Sequence, residues 1–489
     1  METIDFTNKQ PKEILKIIGT LFDSFGREEN LERLLSSIDL ANAVNTDSFD
    51  KHSKAILYYF IGNAWSYIQK IKYPNEEFPL ETKELEKQII HYRKAYNLIK
   101  ECDDDFIKCQ ILTNLGNLFS HIGRFSEAQE YFNLCLEINN DFGMAIGNRG
   151  FGLFYYARVI FEPVQQLIFM QYARKDLLKS LSAKDVYREA KTSFKKMIQQ
   201  IESAYTNEQL NIFQDYKNYY KNLSTVEIEY REWCANNRLF INPLNDVFTN
   251  SIVSNDLLFT PSMTLQFHDK PTYQSIFNQL KQEYVSARFL YYESITQHNA
   301  HFSDKEVVLM DTLDYSVYSF SLEKTKIAFR ICYSIFDKIA YFINLYLKLE
   351  HDSNKVNFRN IWYKKQTNEK DLNEKILITK NWAMRGLFWL SKDLYEKGFS
   401  SSIEPEAKEI AKIRNFIEHK SFKIVESSSS YLADKPITFE IGRLLFYEKT
   451  LKILKLSRSA LMYLSFLIYD EEKKRTKSMG GKMVIPVEL

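Results

Sequence analysis

The chain has 489 residues, 45% of them hydrophobic and 15% aromatic, which is enough for several domains with buried cores and too apolar for a disordered protein. With 65 basic and 63 acidic residues the formal charge is +2, which excludes a bulk electrostatic footprint for nucleic acid and leaves only a local patch for such a contact. Glycine (14) and proline (10) are scarce; sheets spend both on turns, so the composition predicts an all-α chain of long helices.

Five cysteines (Cys102, Cys109, Cys135, Cys234 and Cys332) are scattered, odd in number and without metal-ligand spacing. That usage fits a reducing cytosol. The opening Met-Glu-Thr-Ile-Asp-Phe lacks an apolar targeting core. The densest apolar run near the end, Leu461 to Tyr469, is too short to span a bilayer. The expectation is a cytoplasmic protein with no membrane partner.

Residues 1–205 form the first region. From Cys109 to Phe142, the residues Leu115, Gly116, Phe119, Gly123, Phe125, Ala128 and Phe132 stand at the spacing of a repeat unit. This unit resembles a tetratricopeptide repeat. Cys135 stands where that family usually has Ala, and it is small enough for the same buried place. Gly150 falls one repeat length after Gly116, with Leu153 in the place of Phe119. The second helix of that repeat, carrying Ala190, Phe194 and Met197, comes late, after an insertion. Upstream, Ile61, Gly62 and Trp65 echo the same step, and Tyr92 and Ala95 complete it after a loop with Pro74 and Pro79. Ile14 to Val44 reads as one more degenerate hairpin. The resemblance implies an irregular helical array whose concave face takes a protein trigger or partner. The alternative is a spacer. Asp103-Asp104-Asp105 reads as a solvated loop.

Residues 206–280 read as a helical and extended connector that belongs with the C-terminal half of the chain. A polar helix ends in Tyr230-Arg231-Glu232-Trp233, and Arg238 to Asp246 (Arg-Leu-Phe-Ile-Asn-Pro-Leu-Asn-Asp) is turn-rich and extended. Trp233 reads as a packing anchor. The loop Ser262 to Lys270, with His268, carries no assignment.

Residues 281–475 read as a bundle of five helical stretches: 283–297, 313–349, 376–396, 404–420 and 439–470. The second carries a broad apolar stripe, Ala328, Ile331, Cys332, Ile335, Ile339, Phe342 and Ile343. Asp337 lies off its densest part and reads as a surface acid. Glu350 to Glu374 reads as a charged loop, and Ser427–Ser430 as a polar one. The last helix is expected to close the bundle with Leu444, Leu445, Leu451, Leu454, Leu461 and Leu467. Residues 476–489 are left as a tail, behind the basic cluster Lys473, Lys474, Arg475 and Lys477.

The fourth helix holds the most informative residues. Ile410, Ile413 and Ile417 recur at helical spacing and define a buried face. Asn415 and His419 stand one turn apart on the same side, with Arg414 at the edge of that polar stripe. Taken alone, this reads first as a surface helix with an Arg414–Glu418 ion pair and a solvated His419. Arg followed by a polar residue and then His also resembles the Arg-polar-x-x-x-His signature of HEPN ribonucleases. The string Tyr230–Asp246 and Ser-Ala-Arg-Phe-Leu-Tyr-Tyr-Glu at 286–293 resemble one branch of that superfamily, often joined to tetratricopeptide repeats. In HEPN bundles the motif helix comes just before the last helix, as residues 409–470 have it.

The resemblance implies an endoribonuclease that needs no metal or other cofactor. Its expected catalytic residues are Arg414, Asn415 and His419. His419 acts as general base or acid, Arg414 stabilises charge on the phosphoryl oxygens, and Asn415 orients the phosphate or Arg414. An acidic residue on an earlier helix can support the site in this family, and Asp337 could do so. The resemblance further implies an RNA substrate, a homodimer that brings two motif helices together, and a prokaryotic anti-phage or toxin-like role controlled by the repeat array. Two other classes stay open: a non-catalytic interaction scaffold, and a nucleotide-binding regulatory half of a pair. A P-loop is absent from the sequence.

Overall fold

In the computed structural model, the described residues are Phe6 and residues 9–74, 79–213, 220, 222–263, 270–297, 299–310, 313–364, 371–395, 405–426, 432–434 and 437–478. His268, Ser427–Ser430 and residues 479–489 lie outside them. The chain divides into two compact units: Met1–Arg158 with Gln166–Phe213 and Glu396–Pro405, and Val159–Gln165 with Gln214–Tyr395 and Glu406–Leu489. Among the described residues the fold is all-α apart from one small sheet.

The first unit is a run of helical hairpins. Helices α1 (Pro11–Arg27) and α2 (Leu31–Asn42) are joined by a turn in which the Asn30 side chain caps α2, accepting from the Arg33 N–H. Helix α3 (Lys51–Lys72) starts at the Asp50 cap and α4 (Lys83–Ile99) at Thr82. Helix α5 (Asp105–His121) starts at Asp104, whose carboxylate accepts from the Ile107 N–H and meets His52 at 2.8 Å. The Asp103–Asp105 run therefore includes a helix cap as well as solvated carboxylates.

Helices α5 and α6 (Phe125–Ile138) pack so closely that a Cβ added at Gly116 would lie 2.5 Å from the Phe132 ring. The α3–α4 hairpin repeats this device, with Gly62 against Tyr92. In the third repeat, α7 (Gly143–Ala157) faces two helices. Gly150 is set against Ala173, Asp176 and Leu177 of α8 (Pro163–Leu181), and Gly147 against Phe194 of α9 (Arg188–Ala204). The insertion that delays this repeat is a whole helix. A short α10 (Asn207–Asn211) follows, so the polar helix expected over 205–229 is broken.

The second unit starts its regular part with α11 (Thr225–Asn236), capped by Ser224 and Glu227. Trp233 packs against Tyr291 and Tyr292, as an anchor does. The long helices α12 (Thr272–Thr296), α13 (Phe320–Tyr346), α15 (Trp382–Tyr395) and α17 (Arg443–Ser478) make the bundle, with short α14 (Glu374–Thr379) before α15. Phe329, Cys332, Phe336 and Ile339 of α13, Leu387 and Phe388 of α15, and Ile453, Leu454 and Leu461 of α17 are wholly buried. From Leu456 to Ile468 every residue of α17 is buried, the pattern of a central helix.

Several sequence expectations are corrected by the structure. Helix α13 begins at Phe320 rather than 313; Leu313 and Tyr315 take left-handed backbone angles (φ 56° and 54°) that a helix cannot use. The helix expected over 376–396 breaks at Lys380, also left-handed. Residues 350–374 contain a hydrophobic plug: Phe358, Ile361 and Trp362 are buried, and the Trp362 ring meets Phe388 edge-on at 5.7 Å. Strand β1 (Ser421–Val425) pairs in parallel with β3 (Thr438–Gly442), and β2 (Leu432–Asp434) pairs antiparallel on the other side of β3. Because α17 then starts at Arg443, Leu444 turns outward and is exposed. Residues 471–478 continue α17, where Glu472 accepts from the Tyr346 hydroxyl at 2.7 Å and Arg475 lies over the same ring.

Candidate active site

Helix α16 (Pro405–His419) leads straight into β1. Ile410, Ile413 and Phe416 bury its apolar side, and Phe416 and Phe422 both pack on Phe439 of β3. The strand thus fixes the end of the helix. Asn415 and His419 are exposed, while Arg414 is half-buried. All three expected residues share this one helix.

Arg414 crosses to α13. Its guanidinium lies over the ring of Tyr333, 5.4 Å from the centroid, and its Nη1 donates to Asn415 Oδ1 at 3.2 Å. This replaces the Arg414–Glu418 pair of an ordinary surface helix. Burial pushes the Tyr333 phenol up to about 12, so it stays protonated at neutral pH.

Asp337 stands one turn beyond Tyr333 on α13. It is no surface acid: its Oδ1 accepts from the Phe358 N–H at 3.0 Å, and burial raises its carboxyl above the usual range. The positive charge of Arg414 acts in the opposite direction, which places the carboxyl within electrostatic reach of that guanidinium. The hydrophobic plug at Phe358 therefore holds the acid in place beside the arginine.

Two further cations border this cluster and were not singled out from the sequence. Arg330 precedes Tyr333 by nearly one turn of α13; its Nε is buried and finds no hydrogen-bond acceptor among the described residues. Arg359 follows Phe358 and is exposed, and its charge also acts on Tyr333. Spacing on α13 was the available signal, since Arg330, Tyr333 and Asp337 fall on one stripe. Among the described residues no group of His, Cys, Asp and Glu is arranged to hold a metal ion, and no helix is long and apolar enough to cross a membrane.

Residues 264–471 match the LA2681-like HEPN family, and residues 110–142 match a tetratricopeptide repeat. The chain joins a tetratricopeptide repeat to a HEPN domain. No match is found among the curated proteins or the solved structures. The HEPN domain points to a ribonuclease or a nucleotide-related function, and the repeat to a protein partner.

The HEPN match begins downstream of a segment that its helices hold. Arg458 of α17 donates to the carbonyls of Phe240 and Asn242 and pairs with Asp246 at 2.7 Å, both side chains fully buried. Arg288 of α12 pairs with Asp256 at 2.8 Å and donates to the Leu239 carbonyl. The idiosyncratic string Arg238–Asp246 is thus a structural strap. Its polar residues satisfy buried arginines.

Proposed function

We propose that the HEPN domain is a metal-independent endoribonuclease whose catalytic residues are Arg414, Asn415 and His419. The observation that carries this reading is the way Arg414 is held. A ring face fixes the guanidinium without consuming its in-plane N–H donors, and only Nη1 is engaged within the helix, by Asn415, so the other donors stay available for an oxyanion. Asp337 nearby supplies charge balance without an ion pair that would neutralise the group.

In this reading the ribose 2′-hydroxyl attacks the adjacent phosphorus while the bond to the 5′-oxygen breaks. His419 takes the 2′ proton or returns a proton to the departing oxygen. Arg414 faces the developing charge on the non-bridging oxygens, and Asn415 steadies Arg414 through its amide oxygen. The products are a 2′,3′-cyclic phosphate and a 5′-hydroxyl.

One imidazole cannot serve both proton transfers in a single step, so the reading includes a homodimer with two motif helices at one cleft. An apolar surface in the same unit supports a second copy. Val308 is 97% and Met310 90% exposed, with Leu313 and Tyr315 nearly as open. Residues 315–317 run along β1, where the Val317 N–H donates to the Ile424 carbonyl at 2.8 Å. Exposed apolar side chains of this kind mark association surfaces. The repeat array would hold the enzyme quiet until a protein trigger binds, as in a prokaryotic anti-phage or toxin-like system.

The test is end-group analysis of RNA cut by the purified protein. A 2′-deoxyribose placed 5′ of the mapped scissile phosphate should abolish cleavage, and the all-ribose substrate should yield cyclic-phosphate ends. Cleavage through the deoxy position would overturn the mechanism.

A further inference from the structure

Helix α13 carries a polar stripe, Lys326, Arg330, Tyr333 and Asp337, spaced by three and four residues so that all point to one side. Contacts at two points along it fix its direction relative to the motif helix. Lys326 Nζ lies 5.9 Å from the ring centroid of Phe422, just after His419, while Tyr333 receives Arg414. The stripe therefore runs back along α16 from β1 towards Arg414. Arg330, between the two contacts, is roughly 6 Å along the axis from Lys326 and about 4.5 Å from Tyr333 at the usual helical rise. That places it on α13 between the point that meets Phe422 and the point that meets Arg414.

Lys326 already has Glu323 at 2.6 Å. Arg330 has no carboxylate and no acceptor for its buried Nε among the described residues. A guanidinium taken partly out of water without an acceptor is costly in the free protein, and it becomes favourable once an anion arrives. Arg359 follows the Phe358 whose N–H holds Asp337, and its charge acts on Tyr333. Arg414 thus lies over Tyr333 and the charge of Arg359 acts on it, with Asp337 as the nearby carboxylate and Arg330 one turn back along the same helix.

We propose that Arg330 and Arg359 form phosphate subsites on either side of Arg414, taking the RNA backbone phosphates next to the scissile one. The local basic patch that the near-neutral chain needs for RNA is then built from α13 and the 350–374 segment as much as from the motif helix. The inference rests on the ribonuclease reading for the identity of the ligand, but its test does not depend on cleavage.

The test uses the full-length protein and a fluorescein-labelled 2′-O-methyl RNA 12-mer, which lacks the attacking hydroxyl. Binding is followed by anisotropy over a range of salt concentrations for wild type, Arg330→Gln and Arg359→Gln. Lys100→Gln makes the same charge change at a residue outside the proposed subsites. Each arginine variant should bind about tenfold more weakly. Each should also flatten the plot of log Kd against log salt by about 0.7, the value for one lost phosphate contact on a single strand. Lys100→Gln should match wild type, and Arg330→Gln should melt no lower than wild type, because no internal ion pair is broken. Wild-type affinity and salt slope in both arginine variants would overturn the proposal, as would a loss of affinity that comes only with a lowered melting temperature. ATP displacing the probe as well as the unlabelled 12-mer would overturn it in favour of a mononucleotide site. Arginine-dependent binding with no cleavage of ordinary RNA, with or without lysate from phage-infected cells, would sustain the subsites and defeat the nuclease reading; undiminished cleavage by both variants at low RNA concentration would do the reverse.

Discussion

The guanidinium of Arg414 rests on the face of Tyr333, 5.4 Å from its centroid, so a residue of the motif helix is positioned by an aromatic ring on α13. A cation–π contact of this kind is worth about 0.5–2 kcal/mol. Replacing Tyr333 with Leu should therefore lower kcat for RNA cleavage between about twofold and thirtyfold, with little change in KM. Tyr333→Phe keeps the ring face and should stay close to wild type. Single-turnover kinetics separate the two; equal loss in both variants would assign the effect to the hydroxyl instead.

Asp337 gives a pH prediction whose sign is fixed by burial. Its carboxyl is raised in the folded state, so the folded chain holds this proton at pH values where the unfolded chain has released it. Stability from this group falls as pH rises from the ordinary carboxylate range through the raised value, and then levels. Asn at 337 still offers an oxygen to the Phe358 N–H and has no charge to desolvate. Melting curves from pH 4 to 7 should show the difference between Asp337→Asn and wild type moving in favour of the variant as pH rises. A difference independent of pH would contradict the burial argument.

The Arg458–Asp246 pair ties the strap to the central helix with both side chains at 2% exposure. Removing one member leaves the other charged and buried, which costs about 3–5 kcal/mol. Urea unfolding of Asp246→Ala should show a loss of that order. A fragment beginning at 264, where the HEPN match starts, removes Asp246, Asp256 and the strap carbonyls together. It should fail to give a cooperative unfolding transition.

The exposed apolar segment offers a direct test of association. Val308→Asp with Met310→Asp adds charge where both side chains are open, so the isolated fold should be unaffected. Light scattering should report a monomer where wild type is a dimer, and cleavage should fall with dimer content. A wild-type monomer that cuts RNA would contradict the shared cleft.

The repeat was legible because its glycines and aromatics sit where two helices touch: Gly116 with Phe132, and Gly62 with Tyr92. The motif helix was legible because Ile410 and Ile413 mark its buried side. Other features depend on distant packing. Asp337 looked like a surface acid because the element that covers it, around Phe358, reads as a charged loop. Strands β1 and β3 are five residues each, and Phe439 and Ile441 fit the start of a helix as well as a strand, so only their mutual pairing decides. Arg330 was hidden inside an apolar helix until Arg414 and Phe422 fixed which side of that helix faces the motif.

The central claim is that α16 carries a metal-independent nuclease site. The most direct measurement incubates wild type, Arg414→Ala and His419→Ala with total RNA and tRNA in EDTA, with and without lysate from phage-infected cells as a source of the trigger. The account predicts cleavage by wild type alone, ending in 2′,3′-cyclic phosphates, with both variants folded and inert. Equal cleavage by all three proteins would contradict it, as would wild-type protein that stays inactive in every condition.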